Sequence, residues 1–185
     1  MSQPLDLGLI GNGTVAALVD RQARIVWYCL PRFDGDPIFC ALLRGKSAAD
    51  GDGAFTVELD GLVRTEQRYR PNTAILETEL YAADGSAVRI IDFVPRFRGR
   101  DRIFRPMMLV RRIEPIAGVP LLRIRLRPLF RHGAQQPTKR VGSNHIRFDS
   151  GDLAVRLTTD APISYLVEEE LFALDLVRRD RVLPR

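Results

Sequence analysis

The chain has 185 residues, a formal net charge of +5, 45% hydrophobic and 28% charged residues. That size supports one domain whose core needs neither disulfides nor metals. No apolar run approaches the ~20 residues of a membrane-spanning helix, so no membrane partner is expected. The positive charge comes from arginine, since lysine occurs only at Lys46 and Lys139. The arginines are spread among acids along the whole chain, which describes solvated surface and gives no nucleic-acid partner. The N-terminus shows no basic segment leading into an apolar stretch, and so no secretory signal. Two cysteines, Cys29 and Cys40, fit a reducing compartment, and a cytoplasmic location is expected.

In chain order, Gly11-Asn12-Gly13 reads as a tight turn rather than a dinucleotide fingerprint, because Ala16 stands where a third glycine would and a strand follows. Strands are predicted over residues 15–19 and 24–29, joined by the turn Asp20-Arg21-Gln22-Ala23. Residues 37–43 are the one predicted helix, with Pro37 at its first position and Asp34 or Asp36 as cap. Residues 44–53 follow as a mobile loop. Strands are predicted again over 55–58, 64–69, 75–81, 87–93 and 107–113. In residues 121–127, Leu122, Ile124 and Leu126 share one face while Arg123, Arg125 and Arg127 share the other, the pattern of a half-buried strand. A second mobile loop is expected at 132–143, then strands at 145–148, 153–158, 164–167 and 171–176. The fold class is therefore all-β: an antiparallel two-sheet sandwich with one short helix over residues 1–177, and 178–185 reading as the start of a linker.

Few residues carry chemistry. His132 and His145 have no second histidine or cysteine at ligand spacing, so no metal and no cofactor is expected. Cys29 and Cys40 read as buried structural thiols. Glu168-Glu169-Glu170 reads as a solvated loop between strands. The segment from Ile25 to Phe39 is different. It holds the only tryptophan, Trp27, within a strand apolar on both faces, where it is expected to be a core anchor. Pro31-Arg32-Phe33-Asp34 then breaks pairing and sets a cation, a ring and a carboxylate side by side. Trp27, Pro31, Arg32, Phe33 and Asp34 are the candidate substrate-edge or domain-interface residues. The same residues also read as a core strand ending in a rigid turn.

At these residues the chain resembles the N-terminal module of bacterial glycoside hydrolase family 15, the glucoamylases and trehalases. The resemblance rests on an ordered set: Gly11-Asn12-Gly13, Ala17-Leu18-Val19-Asp20, Ile25-Val26-Trp27, Pro31-Arg32-Phe33-Asp34 and Phe39-Cys40-Ala41-Leu42-Leu43. It continues through Gln67-Arg68-Tyr69-Arg70-Pro71-Asn72-Thr73, Leu76-Glu77-Thr78, Gly85, Asp92-Phe93-Val94-Pro95, Leu109-Val110-Arg111-Arg112 and Arg127-Pro128-Leu129-Phe130. Asn12 departs from it, where an acidic residue is commoner, and so does Arg131-His132-Gly133, where an aromatic tends to precede glycine. The resemblance implies a super-β-sandwich packed on an (α/α)6 catalytic domain of the same polypeptide. It further implies an inverting hydrolase of α-glucosides whose two carboxylates stand about 6.5–9.5 Å apart in that other domain. No catalytic residue is carried over to this chain. An autonomous carbohydrate-binding module is the rival reading. Without the catalytic domain, the apolar face at residues 31–34 is expected to favour a homodimer.

Overall fold

A computed structural model of the chain describes residues 6–44 and 52–174. The expected linker at 178–185 and most of the expected loop at 44–53 lie outside the described residues. In chain order the elements begin with β1 (Gly8–Gly11), β2 (Ala16–Val19), β3 (Ile25–Cys29), β4 (Pro37–Phe39) and α1 (Ala41–Arg44). Next come β5 (Ala54–Leu59), β6 (Leu62–Tyr69), β7 (Leu76–Ala82), β8 (Ala87–Phe93), β9 (Phe97–Gly99) and β10 (Arg102–Phe104). The described chain closes with β11 (Val110–Ala117), β12 (Leu121–Arg127), β13 (Thr138–Val141), β14 (His145–Asp149), β15 (Ala154–Thr158), α2 (Ile163–Glu168) and β16 (Phe172–Ala173).

The strands form an all-β, antiparallel sandwich. One sheet runs β1-β2-β3-β5-β12-β16 with β4 added beside β3, and the facing sheet runs β11-β8-β7-β6. Between them lies one core, with Ile10, Val19, Ile25 and Val57 contributed by the first sheet and Leu76, Leu80, Val88 and Ile90 by the second. A three-stranded sheet, β13-β14-β15, and the lone hairpin β9–β10 complete the described strands. The alternation in β12 is realised: Leu122 and Ile124 are buried, and Arg123 and Arg125 face away.

β7 is buried along almost its whole length, and its two faces reach that state differently. Leu76, Thr78 and Leu80 enter the core, whereas Glu77 and Glu79 are covered on the outer face by arginines. Arg70 Nε donates to Glu77 at 2.6 Å and Arg89 Nε to Glu79 at 2.9 Å, with Arg68 near both. A carboxylate so paired keeps its charge while its arginine stem replaces water.

Three polar ties cross between the two main sheets. Arg111 of β11 lies almost wholly buried against the fully buried Asp92 of β8, at 3% and 0% side-chain exposure. Its remaining N–H groups reach the carbonyls of Phe55 and Ala23 in the first sheet's layer, at 3.1 and 2.7 Å. Gln67 Nε2 donates to the carbonyl of Asp20 at 2.8 Å. The Tyr69 hydroxyl accepts from Leu9 N at 2.7 Å and donates to Leu9 O at 3.0 Å, joining β6 to the edge strand β1.

Four expectations change. The predicted helix over 37–43 is strand for its first part: Tyr28 pairs with Phe39 and Cys29 with Pro37, and only one helical turn follows. Proline is tolerated there because β4 lies beside the main strand order, where its missing N–H is not needed. Residues 164–167 are helix, not strand. Pro162 opens that helix, and Ile163, Leu166 and Val167 recur at helical spacing to meet the core. The loop expected at 132–143 contains β13, which pairs along β14.

The fourth change concerns Trp27. It is half-buried, not a core anchor, and Tyr28 fills the core in its place. Leu18 pairs with Trp27 while Val19 pairs with Ile25, so Val26 is an extra residue in β3. Such a bulge shifts the alternation by one, sending Ile25 and Tyr28 to one face and Trp27 to the other. Burial pushes the Tyr28 phenol up to about 12, and its ring stacks on Phe39 at 6.2 Å.

Candidate functional site

The segment after β3 folds as a tight excursion that returns as β4. Leu30 N donates to Asp36 O at 3.2 Å and Gly35 N to Arg32 O at 3.0 Å. A Cβ at Gly35 would sit 2.7 Å from the Leu30 carbonyl oxygen, so the turn requires glycine there. The Leu30–Pro31 peptide is cis. At the tip, Arg32 makes a two-point ion pair with Asp34, Nε–Oδ1 and Nη2–Oδ2 both 3.0 Å. Both side chains are largely in solvent, so this pair shapes the tip and adds little stability. Phe33 is 62% exposed. The structure thus brings Arg32, Phe33 and Asp34 together on the surface, as the sequence implies.

Trp27 joins them through Cys29, which follows it on the same face of β3. Burial raises the Cys29 thiol, the Trp27 indole hydrogen bond offsets part of that rise, and Asp36 and Asp34 add to it. Cys29 and Cys40 are both buried. On the far side of the loop, His132 Nδ1 lies 3.6 Å from Asp36 Oδ1.

The neighbouring Gly11-Asn12-Gly13 turn fastens this end of the sandwich. Phe33 N donates to Thr14 O at 3.1 Å. Asn12 is buried, and its amide donates to the carbonyls of Pro95 and Pro106 at 3.0 and 2.9 Å. Its side-chain oxygen accepts from Thr14 N and Val15 N. An aspartate could accept the last two bonds but, ionised, could not donate the first two, which accounts for asparagine here.

Pro95 and Pro106 flank the β9–β10 hairpin, a feature that the alternation along the chain does not announce. Its two-residue turn, Arg100-Asp101, has both residues at positive φ, as a type I′ hairpin demands. Phe97 and Phe104 stack across it with centroids 5.4 Å apart. The signal missed in the sequence is the symmetric placing of Phe97 and Phe104 about Gly99-Arg100-Asp101-Arg102.

Glu169 is the second residue misjudged from sequence. It ends α2 in a left-handed conformation, and Arg127 Nε donates to it at 2.8 Å, with Arg125 3.4 Å away. The Arg127 bond holds its carboxyl below the usual range, against some desolvation. Among the described residues no three His, Cys, Asp or Glu gather as a metal site. Nor is any described helix long and apolar enough to cross a membrane.

Comparison with known proteins decides the family. The family described as trehalase-like, N-terminal, matches residues 2–137, well over half of the chain. The chain belongs to the trehalase-like N-terminal domain family. Trehalase 1 of Sulfolobus acidocaldarius is 33% identical over 144 residues, covering 77% of this chain and 22% of that protein. The trehalase of Thermoplasma volcanium is 24% identical over 156 residues, covering 84% of this chain and 24% of that one. This trehalase-like domain therefore spans under a quarter of the length of the curated relatives it matches. No solved structure matches it.

Proposed function

We propose that this trehalase-like domain is the non-catalytic N-terminal part of an inverting glycoside hydrolase acting on α-glucosides, serving folding and docking of a catalytic domain. The observation that carries the reading is the alignment of most of the chain with less than a quarter of two trehalases. In the proposal the catalytic domain is an (α/α)6 barrel, the substrate is trehalose or a short α-glucan, and the whole protein is cytoplasmic. The loop Pro31-Arg32-Phe33-Asp34 meets that domain at the edge of its active site, with Trp27 behind it.

Four described carboxyls are ill suited to the acid's part in such chemistry. Inverting hydrolysis needs one carboxylic acid with a raised pKa beside an ionised partner. The carboxyls of Glu79, Asp84, Asp149 and Glu169 are instead all held below their ordinary values by hydrogen bonds. Groups held ionised in this way do not donate a proton to a glycosidic oxygen near neutral pH.

The test is activity. The 185-residue chain should release no glucose from trehalose or maltose above a buffer blank. In a polypeptide that includes the catalytic domain, Arg32→Ala and Phe33→Ala should lower kcat/KM while this domain's melting temperature stays within a few degrees. Glucose release by the chain alone, abolished by changing one of its carboxylates, overturns the reading. An autonomous carbohydrate-binding module is favoured only by the exposed aromatic rings of Phe33, Phe97 and Phe104. Calorimetric titration with maltooligosaccharides separates that reading, since only a binding module gives saturable heat.

A further inference from the structure

The β9–β10 hairpin and its flanks hold more arginines within ten residues than any other described stretch. Arg96, Arg98, Arg100, Arg102 and Arg105 lie within ten residues, with Asp101 the one acid among them. All five arginines are exposed, and none has an ion pair or side-chain hydrogen bond to another described residue. Elsewhere in this domain arginines are typically engaged, as Arg68, Arg70 and Arg89 are on the outer face of β7. The same stretch exposes Phe97, Ile103, Phe104, Met107 and Met108. It is also fixed in place. Asn12 grips both of its ends through the carbonyls of Pro95 and Pro106, and the turn bearing Asn12 holds the Phe33 backbone through Thr14.

The geometry points to this hairpin as a docking arm for an acidic, apolar-centred protein surface carried by the part of the longer polypeptide outside this chain. The inference rests on the proposed reading that such a part exists, and names the chemistry of its contact. Arginine, phenylalanine and methionine are the residues that concentrate in protein interfaces, where lysine is depleted. Five guanidinium groups around a stacked phenylalanine pair offer forked donors to carboxylates around an apolar centre. A second copy of the chain is the poorer occupant. A two-fold contact through this hairpin would set five arginines against five others, and like charges brought together oppose association. A polyanion such as DNA or an anionic lipid surface would satisfy the arginines. It would not explain why the arm is pinned rigidly beside the Phe33 loop.

The experiment compares amide hydrogen exchange of residues 97–104 in the 185-residue chain and in the longer polypeptide. Exchange there should slow by about tenfold or more in the longer polypeptide, a shift of about 1.4 kcal/mol. The protection should shrink on raising NaCl from about 50 to about 500 mM, because salt screens exposed charges. It should disappear in Arg98→Glu/Arg102→Glu and in Phe97→Ser/Phe104→Ser. These residues are exposed, so circular dichroism and melting of the isolated chain should be unchanged by either pair. Equal exchange of the hairpin in both forms, with protection at Phe33 instead, overturns the docking arm and leaves the proposed function standing. Absence of protection anywhere in the chain sinks both. Arginine-dependent retention on DNA or on phosphatidylglycerol vesicles, with no protection in the longer polypeptide, replaces the protein partner by a polyanion. A dimer of the chain that the charge reversals dissolve overturns the choice of occupant.

Discussion

Arg111 and Asp92, opposite each other on neighbouring strands of one sheet, form a two-point ion pair facing the other sheet, Nε–Oδ1 at 2.7 Å and Nη2–Oδ2 at 2.8 Å. Arg111 also lies over the Phe55 ring, 4.6 Å from its centroid. Desolvating both ions costs much of what their attraction returns, so the pair specifies how the sheets face each other more than it stabilises them. Removing one partner is another matter, because the other is left buried and uncompensated. Arg111→Ala and Asp92→Ala should each lower stability by about 3–5 kcal/mol in denaturant titrations. Arg111→Lys should rescue little, since an ammonium lacks the fork that reaches a carboxylate and two carbonyls together. A midpoint shift worth less than about 1 kcal/mol in both alanine variants would contradict this account.

The bulge at Val26 makes a separate prediction. Tyr28→Ala removes a ring packed between Phe39 and the core and should cost about 3–5 kcal/mol. Trp27→Ala removes a larger ring that is only half-buried, and should cost less than half as much. Equilibrium unfolding in guanidinium chloride compares the two, and a larger loss for Trp27 would place it back in the core.

That pair also shows where the sequence is legible. The apolar strand 24–29 and the turn at 31–34 are plain from residue type, and their place in the fold follows. The side each ring faces is not, because one inserted residue inverts the alternation and only the register against β2 reveals it. Likewise, the charge run at 168–170 gives no sign that Glu169 is bound, since its partner Arg127 lies far back along the chain. The β9–β10 hairpin escapes for a third reason. Its strands are three residues each and exposed on both sides, so no burial pattern marks them. Helix α2 was legible in its spacing, but the aromatic and β-branched residues there favour strand on propensity alone.

The Glu169–Arg127 contact sets a pH dependence. The folded-state pKa of Glu169 lies below its ordinary value near 4.5, chiefly through the Arg127 hydrogen bond. A group depressed on folding adds stability above its unfolded value and loses it as pH falls through the folded value. Glu169→Gln should therefore lower the melting temperature at pH 7, and the gap to wild type should close as pH falls below the carboxylate range. Parallel melting curves from pH 7 to pH 3 read this out, and a constant gap would show that the charge is not the cause.

Gly35→Ala tests the tip of the candidate site. The added methyl meets the Leu30 carbonyl oxygen, backbone that cannot rotate away. The loop must then shift, at a cost of about 1–3 kcal/mol. Its effect should appear in the chemical shifts of residues 30–36 rather than across the sandwich. An unchanged spectrum there would mean the turn tolerates a side chain.

The Tyr69 hydroxyl on Leu9 bears on how the molecule behaves at high concentration. β1 is the last strand of its sheet, and an outer strand ordinarily presents open backbone donors and acceptors to any other extended chain. Here one phenol engages both the N–H and the C=O of Leu9, at the middle of a four-residue strand. An incoming strand would have to displace it to form a ladder, which leaves this end of the sandwich sealed against strand-by-strand aggregation. Tyr69→Phe keeps the ring and removes the seal.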